Sequence, residues 1–532
     1  MIHNHRATTD FTIEFDPFAY TSGRWLNRDE LERKSRHVQF DFSALCEKAV
    51  SLCPGATQII EHEKKEGGFN KVFIFSMDTG ARVVARIPTS IAGPPRLATN
   101  SEVATIMYLQ SKLSLPIAKI LDWNDTSSNP IGAEYIIQEH VTGVQLHQKW
   151  PEMNSHQHML CTKALSLAIK KMASLDFPAY GSLYFSDAPL ESSKKIPLED
   201  GFCNGPHCSS VFWNCNPGEI ALYGGPGTDC GPCKFEDFSI YLVSGSDSKV
   251  VILGKTLTSY CRGLLQTGAT RLPKHDAANS EQLSYQGSIQ DHLSLLEISK
   301  KVMEKLMKDE RAQNAAAPVL VHPDYHKRNI YVSEEDPTII TGLIDWQSAS
   351  VEPAFLYADE SPDFTALPEE LEDDTFRQDD LKAPGQKEKE EKDLMICYQT
   401  YDVLMKGVVP KMRPARLLDP RLFRIFKYCH TSWRDSAAAV RQELIDLSTH
   451  WTQLGLESQG PCPYSPTPEE LSRHASLNSN SDGWVPDEAW DAAKDAHRAA
   501  YDEWIQTARE LEARGESMTV AKTEKLWPFD AR

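Results

Sequence analysis

Asp324, Asn329 and Asp345 are of the types, and at the spacing, that phosphoryl transfer to a hydroxyl requires. The chain reads His322-Pro323-Asp324-Tyr325-His326-Lys327-Arg328-Asn329 and then Ile344-Asp345-Trp346. Such a reaction needs a carboxylate that orients the attacking hydroxyl and takes its proton. It also needs an Asn and a further Asp to hold Mg²⁺ against the phosphates. Asp324 and Asn329 share one loop, and Asp345 follows a hairpin pattern. Ile330-Tyr331-Val332 and Ile339–Ile344 are apolar, β-rich runs flanking a polar turn at Glu334–Pro337. His, Asp and Asn in one loop can also be plain turn formers and caps. The strand, the second strand and the Asp before an aromatic favour a kinase-like catalytic and metal-holding loop.

The other half of such a site must bind the nucleotide. Glu66-Gly67-Gly68-Phe69-Asn70 precedes an alternating strand, Lys71–Ser76; Asp78-Thr79-Gly80 signals a turn, and Arg82–Ile87 returns. Glycines there let backbone amides approach phosphates. The strand position that carries a phosphate-binding Lys in kinases holds Arg86, which keeps the charge but has a bulkier, forked group. Glu102 is its natural ion-pair partner, although Glu102 also completes a capping box with Thr99. Lys71 is either a second phosphate contact or an exposed strand residue.

The elements between these residues spell out an α+β, bilobal, protein-kinase-like fold. A small antiparallel-sheet N-lobe precedes a larger, mainly helical C-lobe with a helical C-terminal extension. Residues 1–60 read as a polar lead-in with a short helix near Phe42–Leu52. Residues 61–141 form the nucleotide-binding N-lobe: the hairpin, a helix from Thr99 to about Leu113, and strands near Ile117–Trp123 and Ala133–Val141. Glu139 and Val141 fall at the hinge, where backbone groups can bond a nucleotide base. Residues 142–367 form the catalytic C-lobe, with a loop-rich insertion at 180–285 and helices near Ser155–Leu175 and Ser288–Lys308. A charged linker at 368–393 leads to a helical part, 394–532, broken at Gly460-Pro461-Cys462-Pro463.

Composition sets the outer bounds. With 532 residues, 41% hydrophobic and 25% charged, the chain is an ordinary globular one of more than a single small domain. A net charge of −19 argues against nucleic acid as a partner, since phosphate recognition wants basic patches. No apolar run is long enough for membrane insertion. The N-terminus shows neither a secretory signal nor an evident mitochondrial presequence. The 12 cysteines are therefore expected as reduced thiols in an intracellular protein. Cys203, Cys208, Cys215, Cys230 and Cys233 cluster around His207, but their spacing is too irregular to favour zinc.

Taken together, these residues resemble the aminoglycoside phosphotransferase family of small-molecule kinases. That family's loop reads H-G-D-x-H-x-x-N and is followed by I-D-W or I-D-F. Here Pro323 replaces the usual Gly, and His326 separates the pattern from protein kinases. D-F-G and A-P-E, which mark protein kinases, are also missing after Asp345. A fungal branch related to the altered-inheritance-of-mitochondria proteins is similar at Tyr20–Leu26, Glu66–Asn70, Ala85–Pro88, Ser101–Thr105 and Ile344–Gln347, and Arg86 is ordinary in that branch. The resemblance implies ATP and Mg²⁺ as cofactors and a small-molecule acceptor. It implies Asp324 as base, with Asn329 and Asp345 as Mg²⁺ ligands. Arg86 would lie on the α/β-phosphates, paired with Glu102, and Gly67, Gly68 and Asn70 would form the phosphate loop. His322 would be a structural hydrogen-bonder. His326 would orient the loop or touch substrate, and Asp363 with Phe355–Phe364 would wall the acceptor pocket. It also implies a mitochondrial location, against a cytoplasmic one. The alternative is a catalytically weak, pseudokinase-like nucleotide-binding or interaction protein, and the sequence is silent on oligomeric state.

Overall fold

The computed structural model describes residues 16–22, 29–209, 212, 256–272, 287–358, 361–366, 384–468 and scattered positions from 470 to 520. The chain divides into two compact units. One holds the sequence to Gly263 with Ala315–Ala366 and Gly385–Pro414; the other holds Leu264–Asn314, Leu367–Pro384 and Ala415–Arg532. The first unit carries every residue expected at the site.

It opens with helices α1 (Asp29–Ser35) and α2 (Phe42–Ser51). Strands β1 (Ile59–Glu66), β2 (Asn70–Met77), β3 (Arg82–Pro88), β4 (Ile120–Asn124) and β5 (Tyr135–Glu139) then form an antiparallel sheet in the order β1-β2-β3-β5-β4. Alternation decides which face is which. Phe73, Phe75, Met77, Val83, Ala85 and Ile87 are buried on one face.

The lead-in, read as polar, also supplies aromatic residues to the core. Phe18, Phe40 and Phe42 pack into that buried face. The rings of Phe18 and Phe40 are 5.4 Å apart, those of Phe40 and Phe73 5.9 Å, and those of Phe42 and Phe73 5.2 Å. Asp41 caps α2 by accepting from the Ala44 amide at 2.9 Å, and Leu45 and Ala49 complete the core. β1 was also unforeseen. After Ile59-Ile60 it reads His62-Glu63-Lys64-Lys65-Glu66 and is largely exposed. Charges of this kind protect a sheet edge from further pairing, and they also hide the strand's hydrophobic period.

Helix α3 (Leu97–Lys112) begins earlier than the Thr99 signal indicated, and the expected capping box does not form. Thr99 Oγ1 instead donates to Glu134 Oε2 at 2.7 Å, and the Arg96 amide donates to Glu134 Oε1 at 2.8 Å. Glu134 thus serves the start of the helix, and the Glu102 carboxylate turns to Arg86.

Past the hinge, Val144–Gln145 pairs with Ile330–Val332, which pairs with Ile340–Leu343. The hinge crosses this hairpin at Gly143, whose φ is 97° and where an added Cβ would run into the Val332 carbonyl oxygen. Gly143→Ala must therefore both adopt a left-handed backbone and displace a strand. We expect it to cost about 3 kcal/mol, combining backbone strain and overpacking. The cost would be seen as a lower midpoint in thermal or urea unfolding; an unchanged midpoint would refute the close approach.

The larger part of this unit packs helix Ser155–Ala173, which buries Cys161, Leu165, Ile169 and Met172, in one core with Val319–Val321, Leu343 and Trp346. Asn154 and Gln157 form a capping box at its start. Residues 384–393, assigned to a charged linker from sequence, are the first turns of helix Pro384–Val408. Asp393 there is buried 3.3 Å from His158 Nδ1; residues 367–383 lie outside the described residues. Within 180–285 the described parts include a three-stranded sheet of Ser182–Phe185, Phe202–Gly205 and Ile196–Pro197, and helix Leu257–Thr270. Cys203 and Cys208 are free buried thiols, whereas Cys215, Cys230 and Cys233 lie outside the described residues.

The second unit is built on helices Ile289–Leu306, Arg421–Tyr428 and Ser432–Thr449. Ser288 and Asp291 form a capping box, and the His292 and Trp433 rings pack 4.9 Å apart. The stretch expected as one piece, 394–532, is divided between the units after Pro414. Among the described residues no helix is long and apolar enough to cross a membrane.

Candidate active site

The loop after Leu320 is built around His322, which is buried. Its Nε2 lies 2.8 Å from the Ile344 carbonyl oxygen, and its Nδ1 accepts from the Asp324 amide at 3.2 Å. That pairing needs a neutral ring protonated on Nε2, and burial lowers the His322 pKa accordingly. The Trp346 ring covers His322 at 4.5 Å. One imidazole therefore fixes the start of the loop to the strand that carries Asp345.

Asp324 is oriented from both sides. Asn329 Nδ2 donates to its Oδ2 at 2.7 Å, and His326 Nε2 lies 3.0 Å from its Oδ1. His326 also faces Asp363, with Nδ1 3.8 Å from Oδ1. Its pKa is raised, first by its bond to Asp363, against the opposing effect of burial. Asp363 accepts from the Lys327 amide at 3.0 Å. Asp363 therefore holds the loop from behind and is not among the residues lining the cavity beside Asp324. Tyr357, Ser361 and Pro362 do line it.

The side expected to take nucleotide is a cleft of about 920 Å³, open to solvent, whose lining includes Gly67, Gly68, Arg86, Val141, Asn329 and Asp345. Arg86 lies across it, 7% exposed. Nη1 pairs with Glu102, and Nη2 donates to Asp345 Oδ1 at 2.9 Å. Burial opposes the Arg86 charge, but Glu102 and Asp345 outweigh it and raise the pKa. Burial presses Glu102 upward, more than Arg86 pulls it back. Asp345 sits at φ 65°, a conformation uncommon outside glycine, and Ser348 repeats it at 63°. This sharp turn aims the Asp345 carboxylate at Arg86.

The glycine turn is pinned along its length. The Gly67 amide donates to the Asn70 carbonyl at 3.1 Å, Arg36 Nε to the Gly68 carbonyl at 3.1 Å, and the Thr89 amide to the Phe69 carbonyl at 2.8 Å. The Asn70 side chain, expected on phosphate, donates to Gln347 Oε1, and Gln347 Nε2 donates to the Ala92 carbonyl at 3.1 Å. Among the described residues, no atom beyond each glycine's own chain neighbours lies within 4 Å of where a Cβ would stand on Gly67 or Gly68. Packing therefore does not demand glycine at either position, whereas close approach of a ligand to the backbone would.

Lys71 is neither exposed nor on the cleft. It is buried, with Nζ 2.9 Å from Glu66 Oε1. Burial would raise the Glu66 pKa, but the Thr21 amide and the Lys71 and Lys64 ammonium groups hold it down at about 2. At the hinge, His140 and Val141 line the cleft and Glu139 does not; the Glu139 amide donates to the Lys119 carbonyl at 2.9 Å. The lining residues missed from sequence include Val72, Ile74 and Val84. Their signal was strand alternation, which puts them opposite the buried phenylalanines.

Asn329 and Asp345 present hard oxygens to one cleft. Mg²⁺ is usually held by only one or two protein carboxylates, with substrate phosphates and water completing its shell. The residues present fit that arrangement and not a free-standing cage. Among the described residues, no group of three or more His, Cys, Asp or Glu could hold a metal ion by itself.

Comparison with known proteins gives the same direction. Residues 252–356 match the model of a family described as phosphotransferase enzyme family. The matched segment contains the whole loop from His322 to Asp345. A subtelomeric hrmA-associated cluster protein of Aspergillus fumigatus is 31% identical over 319 residues, 58% of this chain and 60% of that protein. The chain thus spans 60% of the length of that relative. The altered inheritance of mitochondria protein 9, mitochondrial, of Kluyveromyces lactis is 22% identical over 591 residues, covering 91% of this chain and 90% of that protein. A solved structure of a putative aminoglycoside phosphotransferase from Ralstonia eutropha covers 82% of this chain and 95% of its own, at 15% identity and a TM-score of 0.40.

Proposed function

We propose that this chain is an ATP- and Mg²⁺-dependent phosphotransferase acting on a hydroxyl of a small molecule. The observation that carries the reading is the position of one short loop between two cavities. Asp324 faces a cavity of about 700 Å³, while Asn329, bonded to Asp324 at 2.7 Å, faces the nucleotide cleft with Asp345. The group proposed as proton acceptor is thus hydrogen-bonded to one of the two residues proposed as metal ligands.

Asp324 positions the acceptor hydroxyl and takes its proton as the new O–P bond forms at the γ-phosphorus. The bond from that phosphorus to the β,γ-bridging oxygen breaks, and ADP leaves. Arg86 supplies fixed positive charge at the phosphates, and the Gly67-Gly68 turn lets them come close to the backbone. Mg²⁺, when bound through Asn329 and Asp345, would neutralise phosphate charge. The names of the Kluyveromyces and Yarrowia relatives support a mitochondrial location. A second reading, nucleotide binding with little transfer, is favoured by one contact: Arg86 already occupies Asp345 at 2.9 Å.

Thermal unfolding with ATP, with and without Mg²⁺, tests the nucleotide site, because a ligand of the native state raises the midpoint by mass action. The midpoint is expected to rise with ATP only when Mg²⁺ is present. Asp345→Ala is expected to weaken Mg²⁺–ATP binding by about tenfold or more, the loss of roughly 1.4 kcal/mol. No rise at millimolar ATP in the unmodified protein would reject the assignment.

A further inference from the structure

The cavity beside Asp324 has walls of a definite chemistry. We infer that its acceptor is a compact, uncharged alcohol with an apolar aryl or branched-alkyl body, a conclusion that rests on the phosphotransferase reading above. Ile169, Val321, Tyr357, Tyr401 and Met412 line it. Ile169, Val321, Tyr401 and Met412 are buried. Two of its tyrosines direct their hydroxyls to backbone carbonyls: Tyr325 to Leu165 and Tyr357 to Ser350, both at 3.2 Å. Their ring carbons are what remains to contact a ligand.

Charge narrows the class. The described lining contains no Lys or Arg, and its His326 is set between Asp324 and Asp363, so a phosphorylated or carboxylated acceptor would meet Asp324 with no uncommitted cation beside it. The same lining has one carboxylate, Asp324, already bonded to Asn329 and set against His326. A nearby second one, Asp363, faces Lys327 and His326. Burying a cationic acceptor without its own partner is costly. A polyol would need several matched donors and acceptors. Around the mouth the described lining offers Asp324, His326 and Ser361, enough to seat one hydroxyl and orient it. A single hydroxyl at the mouth and an apolar body within therefore satisfy every wall.

Ligand-observed NMR on the full chain, with 2-phenylethanol, glucose, ethanolamine and glycerate as separate probes, tests this. The expected result is saturation transfer to the phenylethanol ring and tighter binding of phenylethanol than of the other three. Ser361→Trp, which fills the mouth, is expected to weaken phenylethanol by about tenfold or more, the discrimination a hydrophobic pocket provides. Met412→Trp fills the deep end and should act alike, so a folding failure in one variant leaves the other. Mg²⁺–ATP binding, followed by thermal shift in the same samples, should stay unchanged. Tighter binding of glucose, ethanolamine or glycerate, no phenylethanol binding, or binding that survives both Trp variants would overturn the inference. If the Mg²⁺–ATP shift persists in those cases, the acceptor class is wrong and the phosphotransferase reading stands. If that shift is absent from the unmodified protein, the reading itself has failed.

Discussion

Asp324→Asn is expected to lower Mg²⁺-dependent phosphoryl transfer from ATP by about 10³-fold, within the range that a positioned general base supplies. Nucleotide affinity should stay within about twofold, because Asp324 lines the acceptor cavity and not the nucleotide cleft. Asn preserves the shape and keeps an oxygen for the Asn329 amide, now 2.7 Å from Asp324. What it lacks is a second basic oxygen to take a proton. Single-turnover transfer of labelled phosphate, with calorimetry for Mg²⁺–ATP, separates the two effects. Equal loss of transfer and binding would sink the assignment of Asp324 as base. Strong Mg²⁺–ATP binding with no transfer even in the unmodified chain would favour the weakly catalytic reading.

Much of this site was legible because its signals are local. His322 to Asp345 is one loop and one hairpin, and turn residues between apolar runs declare both. The β2–β3 pair was legible for the same reason, and with it the position of Arg86. What was hidden depends on partners distant in sequence. Nothing near Thr99 says that Glu134 will take its hydroxyl and so undo a capping box that local rules require. Nothing near Asn70 announces Gln347. The core role of the lead-in was hidden because Phe18, Phe40 and Phe42 are separated by polar residues, and only β2 brings them together. β1 was hidden because an exposed edge strand needs charges where a buried strand needs apolar residues. Lys71 was misjudged on a rule that holds for most lysines; a carboxylate at Glu66, itself buried, is the exception that lets one be buried.

The second large effect concerns stability and stems from the same burial. Arg86→Met is expected to destabilise the protein by about 3–5 kcal/mol, because it leaves the buried Glu102 carboxylate without its cation. Arg86→Met with Glu102→Leu removes both charges and should recover most of that loss, since a buried pair replaced by apolar groups is often neutral. Urea unfolding of the single and double variants forms the cycle that measures this coupling. A double variant no more stable than Arg86→Met would mean that Glu102 is not the group left unsatisfied. The pH dependence has a definite sign. The Glu102 pKa is already raised in the fold, and losing Arg86 removes its main opposing influence. A raised carboxyl favours folding below its unfolded pKa and loses that contribution as pH rises through the folded value. The deficit of Arg86→Met against the unmodified protein should therefore be smallest near the unfolded Glu value of about 4.3 and grow toward neutral pH. Arg86→Lys keeps one charge for Glu102 but has no fork to reach Asp345 at the same time. It should retain most of the stability while loosening the Asp345 carboxylate. A weaker Mg²⁺–ATP shift in that variant, at nearly unchanged stability, would identify the Arg86–Asp345 bond as an aid to nucleotide binding. A stronger shift would show that Arg86 competes for the metal ligand.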